Sequence, residues 1–339
     1  MQASLRYPLS MEKTQIAGNS VSRIGLGTWA IGGLDWGAVP DNEAVATILH
    51  GLELGINLID TAPIYGHGRA EELIGSALRQ HGRREDFYIA TKCGLNWDAG
   101  QPGVFADCTE PRLRRELEDS LRRLGTDFID LYQVHWPDTR IPIEETAGLL
   151  AEFQLEGKVG ALGVSNFSAA QMETFRTVTP LASNQPPYNI FEREIDAETL
   201  PWCEQNGVAV LTYSSLCRSL LGGRLKHGMT FPPDDIRTAD PKFREPQFTQ
   251  YLNAVDRLDA LARERYGKTV LDLAARWVLD RPGVSVALWG AKRPDQLNAI
   301  QGVMDWKLDD AAMAEIDRIV AECVTDPVGP EYLTPQVRS

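Results

Sequence analysis

The sequence contains few cysteines, and none of them has the spacing of a metal site. There are five in 339 residues, and no two of them are separated by only two residues. They are Cys93, Cys108, Cys203, Cys217 and Cys323. An odd number of scattered cysteines favours neither a structural zinc site nor a disulfide framework. We therefore predict reduced thiols in a cytoplasmic protein that holds no metal.

The sequence also lacks long apolar runs and an excess of positive charge. No run approaches the ~20 apolar residues that a membrane-spanning helix requires, and Met1 to Met11 lack the apolar core of a signal peptide. Lysine and arginine number 34 against 47 acidic residues, which gives a formal net charge of −13 at pH 7. An acidic surface repels phosphate backbones. We expect neither a membrane nor a nucleic acid as partner, although a local basic pocket remains compatible with a phosphorylated small molecule.

Strand-like and helix-like segments alternate along nearly the whole chain. A short apolar strand pattern followed by an amphipathic helix pattern recurs seven or eight times from Ile24 onward, and one of the predicted helices spans residues 193–206. Repeated strand–helix units form parallel sheets, and eight such units can close the sheet into a barrel. We therefore predict a (β/α)8 TIM barrel that occupies residues 1–339 as a single domain. The residues before Ile24 predict a β-hairpin across the bottom of the barrel, and those after Asp309 predict an extra C-terminal helix.

The longest irregular segment, residues 214–246, follows the seventh predicted strand. It holds several proline, glycine and charged residues. A loop of this length inside a compact domain is usually functional or disordered. We predict that it covers the cofactor or the substrate as a lid.

Three apolar runs in the first 135 residues end on an ionisable side chain. The first ends at Asp60, the second at Lys92 and the third at His135, and Tyr65 lies in the loop after the first. Buried strands disfavour unpartnered charge. In a (β/α)8 barrel, however, the carboxyl ends of the strands form the floor of the active site. The four residues therefore predict one site composed of an acid, a phenol, an ammonium and an imidazole.

Each of these residues also has an ordinary structural interpretation. Asp60 and Lys92 alone are compatible with a structural ion pair, and Tyr65 with a partly exposed aromatic residue in a loop. His135 alone is compatible with a buried histidine whose hydrogen bonds are satisfied. Their joint position at the ends of strands of one barrel favours the functional interpretation.

Residues 25–30 read GLGTWA and match the G-x-G-x-x-A fingerprint of dinucleotide-binding folds. The true motif turns directly into a helix whose N-terminus binds the pyrophosphate. Here Ile31-Gly32-Gly33 follow, and the next helix pattern begins near Asp41, so we reject this interpretation. The glycines instead make room at the barrel mouth, where Trp29 either lines the cofactor and substrate channel or simply packs.

Eight stretches between Ile24 and Leu297 resemble, in order, the motifs of the aldo-keto reductase superfamily. They are IGLGTWAIGG, NLIDTAPIYGHGRAEELIG, FYIATKCG, SLRRLGTDFIDLYQVHWPD, GKVGALGVSNFS, NQPPYNI, VLTYSSLCRSLLGG and ALWGAKRPDQL. SLCRSLLGG and the DPKF at Asp240 to Phe243 resemble a bacterial branch that includes glycerol dehydrogenase-type reductases. The resemblance implies a (β/α)8 barrel that reduces carbonyl compounds with NADPH or, less commonly, with NADH.

The resemblance also implies the roles of individual residues. The catalytic set maps onto Asp60, Tyr65, Lys92 and His135. Ser165, Asn166 and Gln185 correspond to the residues that hold the nicotinamide carboxamide. Tyr213 corresponds to the aromatic residue that stacks on the nicotinamide ring. Contacts with the pyrophosphate are assigned to Ser214, Leu216 and Arg218. To these cofactor-binding residues we add Thr28 and Trp29 at the barrel mouth.

The segment after the eighth strand, Gly290-Ala291-Lys292-Arg293, is predicted to bind a cofactor phosphate. The phosphate site of many barrels lies after strands 7 and 8, and Arg293 suits a bidentate contact with a 2′-phosphate. The alternative is a solvated charged turn. Many relatives carry Glu-Asn shortly afterwards to hold adenine, where this chain has Ala299-Ile300. We assign that role to Gln296 or Asn298.

These residue types suit carbonyl reduction, in which a hydride adds to carbon and a proton to oxygen. No side chain supplies a hydride, so a cofactor must. The proton needs a donor within hydrogen-bond reach. We assign Tyr65, whose pKa we expect the ammonium of Lys92 to lower. Asp60 compensates the buried Lys92, and His135 donates to the substrate oxygen or orients it.

Large aromatic side chains are predicted to shape the substrate pocket, namely Trp29, Trp97 and Trp136. The sequence thus predicts a reversible NADPH-dependent reductase of aldehydes or ketones. Its partners would be small carbonyl or alcohol substrates, including polyol- or sugar-like ones, and it would be a monomer or a simple homo-oligomer. Two alternatives stay open. One is an NADPH-binding regulatory subunit of the channel-associated type, and the other is a barrel aldolase that forms a Schiff base on Lys92.

Overall fold

The computed structural model of the protein describes residues 11–34, 36–97 and 103–336. Eight parallel strands in these residues close into a barrel: β1 (Ile24–Gly27), β2 (Leu58–Asp60), β3 (Tyr88–Cys93), β4 (Ile129–Val134), β5 (Val159–Ser165), β6 (Ser183–Gln185), β7 (Ala209–Thr212) and β8 (Val284–Gly290). Each strand pairs with the next one along the chain, and β8 pairs with β1. The predicted (β/α)8 barrel is confirmed.

Nine helices of eight residues or more surround the barrel in the described ranges. They are α1 (Asp41–Glu53), α2 (Arg69–His81), α3 (Glu110–Leu124), α4 (Ile143–Leu155), α5 (Ala169–Arg176), α6 (Thr199–Asn206), α7 (Gln247–Tyr266), α8 (Val270–Asp280) and α9 (Asp310–Cys323). None of these helices is apolar over a length that could span a membrane.

Amphipathic spacing and glycine termini explain where these helices form and end. In α3, Leu113, Leu117 and Leu121 lie four residues apart and are buried on the side that faces the barrel. Gly125 ends the helix with a φ of +67°, a conformation that glycine adopts without strain.

Short helical turns complete the connections. There are one-turn α-helices at Trp29–Gly32 and Pro294–Leu297 and 3₁₀ turns at Arg84–Asp86, Glu194–Asp196, Leu220–Gly222, Ile236–Thr238, Pro241–Phe243, Asn298–Gly302 and Glu331–Leu333. Most of them lie in loops, where they satisfy backbone groups that no strand or longer helix can bind.

The helix expected over residues 193–206 is interrupted. It is a 3₁₀ turn at Glu194–Asp196 followed by α6, which begins at Thr199. Pro201 explains the break, because its ring would collide with the carbonyl of Ala197 in a continuous helix. In the structure Pro201 lies in the first turn of α6, where its missing N–H has no intrahelical partner to lose.

The predicted N-terminal hairpin is present and lies against the amino-terminal end of the barrel. Its strands, Lys13–Ile16 and Asn19–Ser22, pair antiparallel. Ile16 and Val21 are buried against the apolar side chains inside the barrel. The predicted C-terminal helix is α9. A second, smaller hairpin, Leu95–Asn96 with Phe105–Ala106, follows β3.

The interior of the barrel changes from apolar to polar along the strands. Its apolar part consists of Leu58, Tyr88, Ala90, Leu131, Ala161, Ala209, Leu211, Val286 and Leu288. Because side chains alternate between the two faces of a strand, the residue two positions after an inward one also points inward. The polar residues reached in this way include Asp60, Lys92 and Tyr213. A polar layer therefore lies directly on the apolar one, at the carboxyl ends of the strands.

Residues 214–246 fold against the barrel. They contain three of the 3₁₀ turns, and they bury Leu220, Leu221 and Phe243 in the main hydrophobic core. The role of this segment as a lid and the assignment of residues 1–339 to a single domain stay predictions.

Candidate active site

A buried ion pair lies at the carboxyl ends of β2 and β3. The ammonium Nζ of Lys92 donates to Asp60 Oδ1 at 2.8 Å, to Asp60 Oδ2 at 3.1 Å and to the carbonyl of Thr61 at 2.8 Å. Gln185 on β6 donates to Asp60 Oδ2 at 2.7 Å. Thr28, predicted to contact the cofactor, is buried and donates to the backbone carbonyl of Asp60 at 2.9 Å. Both charges are compensated, as a buried ion pair requires.

The hydroxyl of Tyr65 is a further partner of the Lys92 ammonium, at 3.3 Å. The Tyr65 ring packs edge-on against the imidazole of His135, with centroids 5.9 Å apart, and stacks along Trp29 at 6.1 Å. The structure thus brings together the residues that the sequence assigns to one site, namely Asp60, Tyr65, Lys92 and His135. Their catalytic roles stay predictions.

Tyr65 is positioned by a close contact between two loops. The backbone of Tyr65 and Gly66, after β2, lies against Gly32, after β1. A Cβ on Gly32 would come within 2.8 Å of the carbonyl carbon of Tyr65, and Gly66 has a φ of +63°. Arg69 donates to the carbonyls of Ile31 and Gly32 at 3.1 and 3.3 Å. Only glycine permits this approach, so the two loops are held together.

The surroundings of Tyr65 raise its pKa well above the ordinary value of 10, because the half-buried phenol is shielded from water and Asp60 is negatively charged. The sequence-based expectation of a lowered pKa is wrong, since the loss of water around the phenol and the negative charge of Asp60 both raise it. Burial lowers the pKa of Lys92. Burial and the charge of Lys92 hold the pKa of His135 well below 6.5. At neutral pH the site therefore contains a protonated phenol and a neutral imidazole.

A row of hydrogen-bonded side chains runs from β5 to β7 beside the ion pair. Ser165 Oγ donates to the backbone carbonyl of Gln185 at 2.6 Å. Asn166 Nδ2 donates to Ser165 Oγ and to the backbone carbonyl of His135, both at 3.0 Å. The hydroxyl of Tyr213 donates to Asn166 Oδ1 at 2.9 Å. The four residues predicted to hold the nicotinamide are therefore adjacent to one another.

Arg218 has partners that the sequence did not reveal. Its guanidinium is buried, and Nε donates to Asp240 Oδ2 at 2.7 Å while Nη2 donates to Glu192 Oε1. Nη1 donates to Ser214 Oγ at 3.1 Å. Two carboxylates therefore already compensate the positive charge of Arg218, which we expected from the sequence to contact the pyrophosphate of the cofactor. Ser214 and Leu216 are half-buried, and the contact of all three residues with a cofactor stays a prediction.

Two cations follow β8, where a phosphate site is predicted. The Lys292 ammonium donates to the backbone carbonyls of Trp36 and Gly37. The side chain of Arg293 is 47% exposed, and its Nε lies 3.1 Å from Asp295 Oδ1. A surface ion pair of this kind contributes little to stability and opens readily. Arg293 is therefore the more accessible of the two cations.

The turn that carries these cations is held by Gln296. Its Oε1 accepts hydrogen bonds from the backbone N–H groups of both cationic residues, at 2.7 and 3.2 Å. Asn298 Oδ1 lies 2.8 Å from His50 Nε2. Both side-chain amides thus have partners within the protein, and a contact with adenine would have to replace these bonds. Of the residues that precede the cations, Gly290 is exposed and Ala291 is buried.

Aromatic rings surround the mouth of the barrel. Trp29 meets Trp36 edge-on, with ring centroids 5.8 Å apart. Trp97 stacks on His67, two residues after Tyr65, at 4.8 Å. Trp136 is half-buried next to His135 in the chain. These rings are placed to offer apolar faces to a small ligand, and their role in a substrate pocket stays a prediction.

The sequence did not reveal the charges that surround Arg218. Glu192, Asp240 and Lys242 are fully buried, and the ring of Tyr332 lies 5.2 Å from the guanidinium carbon of Arg218. Asp240 and Lys242 belong to the DPKF stretch, from which we inferred only a resemblance to one bacterial branch and no contact with Arg218. Charged residues inside a long loop were the available signal, and nothing local identified their partners.

The residues around Lys92 fit a nicotinamide cofactor. The amides of Asn166 and Gln185 and the ring of Tyr213 offer hydrogen bonds and a flat face to an aromatic carboxamide. Lys292 and Arg293 offer positive charge to phosphate groups. Among the residues that the structure describes, no group of three or more His, Cys, Asp or Glu side chains is arranged to hold a metal ion.

Comparison with known proteins agrees with the motifs. The model of the Aldo/keto reductase family matches residues 23–321. The chain is 50% identical over 330 residues to aldo-keto reductase YhdN of Bacillus subtilis (strain 168), covering 97% of this chain and 99% of that protein. It is 34% identical over 318 residues to the NADH-specific methylglyoxal reductase of Escherichia coli (strain K12), covering 90% and 96%. It superimposes on the structure of the glycerol dehydrogenase AKR11B4 from Gluconobacter oxydans with a TM-score of 0.86 and 48% identity, covering 94% of this chain and 98% of that one. The chain therefore belongs to the aldo/keto reductase family.

Proposed function

We propose that this protein reduces aldehydes or ketones to alcohols with NADPH, in a reversible reaction. Members of its family are oxidoreductases that act on carbonyl compounds with nicotinamide cofactors. The observation that carries the proposal is one buried ammonium in contact with both a carboxylate and a phenol. Lys92 Nζ lies 2.8 Å from Asp60 Oδ1 and 3.3 Å from the hydroxyl of Tyr65.

Tyr65 is the proposed proton donor. Its raised pKa keeps the hydroxyl protonated at neutral pH, which is the state that donates to a carbonyl oxygen. Oxidation of an alcohol needs the phenolate instead, so the same pKa favours reduction near neutrality. A bound nicotinamide would supply the hydride that the carbonyl carbon receives.

His135 is proposed to orient the oxygen of the substrate. Its lowered pKa keeps the imidazole neutral, so one ring nitrogen carries a proton and can donate it in a hydrogen bond. Together with the Tyr65 hydroxyl it would stabilise negative charge that develops on the oxygen. Lys92 would hold the Tyr65 hydroxyl in place, and Asp60 would hold Lys92.

We propose a preference for NADPH over NADH. Lys292 and Arg293 supply two positive charges after β8, where many barrels bind phosphate, and the additional 2′-phosphate of NADPH suits a guanidinium. One relative, from Escherichia coli, is named as NADH-specific. Both cofactors must therefore be compared directly.

The proposed substrates are small carbonyl compounds that carry hydroxyl groups. The rings of Trp29, Trp97 and Trp136 offer apolar faces, while Tyr65 and His135 offer convergent polar atoms, a combination typical of small-molecule sites. The Gluconobacter oxydans relative is named a glycerol dehydrogenase, which supports the inclusion of polyols.

A panel of aldehydes, ketones and polyols, each assayed with NADPH and with NADH, tests the proposal. We expect reduction of several carbonyls, with a higher kcat/KM when NADPH is varied than when NADH is varied. Tight cofactor binding without turnover of any member of the panel would instead support the regulatory-subunit alternative. Trapping of a carbonyl on Lys92 by borohydride would support the aldolase alternative.

A further inference from the structure

A second group of buried charges lies beneath the segment that follows β7. It consists of Glu192, Arg218, Asp240 and Lys242, and we refer to it as the Arg218 cluster. No more than 1% of the surface of any of the four side chains is exposed. Removing four ions from water is unfavourable unless they pair closely with one another. Their two positive and two negative charges sum to zero.

The carboxylates of the Arg218 cluster are fully hydrogen-bonded. Arg218 Nε donates to Asp240 Oδ2 at 2.7 Å, and Lys242 Nζ lies 2.9 Å from Glu192 Oε1. Asn189 Nδ2 donates to Glu192 Oε2 at 2.6 Å. Burial alone would raise the pKa of Glu192, but the charges of Arg218 and Lys242 outweigh it and lower this pKa, so the carboxylate is ionised.

The Arg218 cluster contacts a backbone segment of uncommon conformation, residues 214–219. Its left-handed members are Ser214, Cys217, Arg218 and Ser219, with φ of +56°, +47°, +52° and +72°. Non-glycine residues rarely adopt this conformation, and several close together persist only where surrounding contacts impose it. The cluster and Asn189, which is hydrogen-bonded to Glu192, supply such contacts. Arg218 Nη1 donates to Ser214 Oγ, and Asn189 Nδ2 donates to the Ser214 carbonyl, both at 3.1 Å.

The C-terminal part of the chain completes the Arg218 cluster. Lys242 Nζ donates to the backbone carbonyl of Gly329 at 2.9 Å. The ring of Tyr332 lies 5.2 Å from the guanidinium carbon of Arg218 and 5.9 Å from Lys242 Nζ. The hydroxyl of Tyr332 is buried and has no hydrogen-bond partner among the described residues. The contact is therefore made by the aromatic face, which attracts cations.

We propose that Tyr332 and the Arg218 cluster are positioning elements that hold residues 214–219 in the conformation that binds the dinucleotide. This inference rests on the proposed function, since Ser214 and Leu216 are proposed cofactor contacts. Ser214 also follows directly on Tyr213, which is hydrogen-bonded to Asn166. A shift of the segment would thus reach the proposed nicotinamide site and weaken the binding of the dinucleotide.

Replacement of Tyr332 tests the role of its ring. We expect Tyr332→Ala to raise the Kd for NADPH, measured by quenching of tryptophan fluorescence, at least about tenfold, which is about 1.4 kcal/mol. The kcat at saturating NADPH should change less than about twofold, because the bound state is still reached. Tyr332→Phe keeps the ring and should bind NADPH like the wild type.

Tyr266→Ala is the matched control for loss of a ring. Tyr266 is also half-buried and lies 5.9 Å from the guanidinium carbon of Arg265, but it packs against Trp306 instead of the Arg218 cluster. Its replacement should lower Tm without changing the Kd for NADPH. An equal rise in Kd for Tyr332→Ala and Tyr332→Phe would overturn the role of the ring.

Lys242→Met provides a second test, read out without cofactor turnover. We expect faster hydrogen exchange at the amides of residues 214–219 in the cofactor-free protein, together with weaker NADPH binding. Unchanged Kd values in both Tyr332→Ala and Lys242→Met would overturn the inference and leave the cluster a purely stabilising role. If Lys242→Met does not fold, the Tyr332 pair decides. If the wild type bound neither NADPH nor NADH, the proposed function itself would fail.

Discussion

Lys92 and Lys242 are both fully buried lysines, yet their surroundings differ. Lys92 faces one carboxylate, that of Asp60, and its ammonium also reaches a backbone carbonyl and the phenol of Tyr65. Lys242 belongs to a cluster in which two cations face two carboxylates, and its ammonium is covered by the ring of Tyr332.

The difference shows that a buried lysine is not by itself a mark of catalysis. The groups that Lys92 influences, Tyr65 and His135, are half-exposed at the mouth of the barrel, where a ligand can exchange protons or hydrogen bonds with them. The carboxylates that Lys242 contacts, those of Glu192 and Asp240, are fully paired and closed to solvent. The first arrangement suits chemistry, and the second suits the maintenance of one backbone conformation.

The largest effect should come from the phenol. We expect Tyr65→Phe to lower kcat for carbonyl reduction by about 10²–10⁴-fold, the usual contribution of a positioned proton donor. Tm and the Kd for NADPH should be nearly unchanged, because the ring remains. Tyr88→Phe is the control, since the hydroxyl of Tyr88 is also buried but has no hydrogen-bond partner among the described residues. Full activity in Tyr65→Phe would remove this residue from its proposed role.

Replacing each buried lysine with methionine tests the comparison directly. Lys92→Met and Lys242→Met each leave a buried carboxylate short of a partner, so both should lower the free energy of unfolding by about 3–5 kcal/mol. Only Lys92→Met should also reduce kcat at saturating NADPH, by an amount similar to Tyr65→Phe. Urea unfolding and steady-state kinetics measure the two quantities. A comparable loss of kcat in Lys242→Met would break the distinction between the clusters.

The pH profile of carbonyl reduction should be broad. The pKa of Tyr65 is raised, so the phenol stays protonated up to about pH 10 and the rate falls only as the pH rises through the raised value. The pKa of His135 is lowered, so the neutral imidazole is lost only well below pH 6.5. Alcohol oxidation should instead become faster as the pH rises, because it needs the phenolate. A break in kcat/KM for reduction between about pH 7 and pH 9 would contradict these assignments.

The smallest effect is expected from Arg293, which forms an exposed ion pair with Asp295 after β8. This pair adds a solvent-exposed cation to the comparison of the two buried lysines. We expect Arg293→Ala to raise the KM for NADPH about tenfold, the contribution of one hydrogen bond between charged groups. The KM for NADH, which lacks the 2′-phosphate, should change little. Asp295→Ala is the control, because it frees the Arg293 side chain instead of removing it. Equal changes in both KM values for Arg293→Ala would count against a phosphate contact.

Much of the fold could be predicted because it depends on residues close together in the chain. The capping boxes at Ser168 and Thr269 involve residues only three positions apart, and the leucines of α3 follow the helical period. The boundary that was wrong, within residues 193–206, depends on the clash of Pro201 with a carbonyl four residues earlier. That signal is also local.

The candidate site was partly predictable for a similar reason. Alternation along β2 and β3 places Asp60 and Lys92 on the inward face, above apolar neighbours. The pKa of Tyr65 was not predictable, because its direction depends on how far the fold shields the phenol from water and on the nearby charge of Asp60. The partners of Arg218 were not predictable either. Glu192 and Asp240 lie 26 and 22 residues away and come from two different connections.

The backbone contact between Gly32 and Tyr65–Gly66 has a consequence for engineering. Since neither loop can accept a side chain there, insertions or bulky replacements in one loop would displace the other together with the proposed acid. The contact between Trp97 and His67, in contrast, is made by their side-chain rings, which can be replaced without a clash of backbones. A library aimed at new substrates should therefore vary the surroundings of Trp97 and Trp136 and leave the two glycines unchanged.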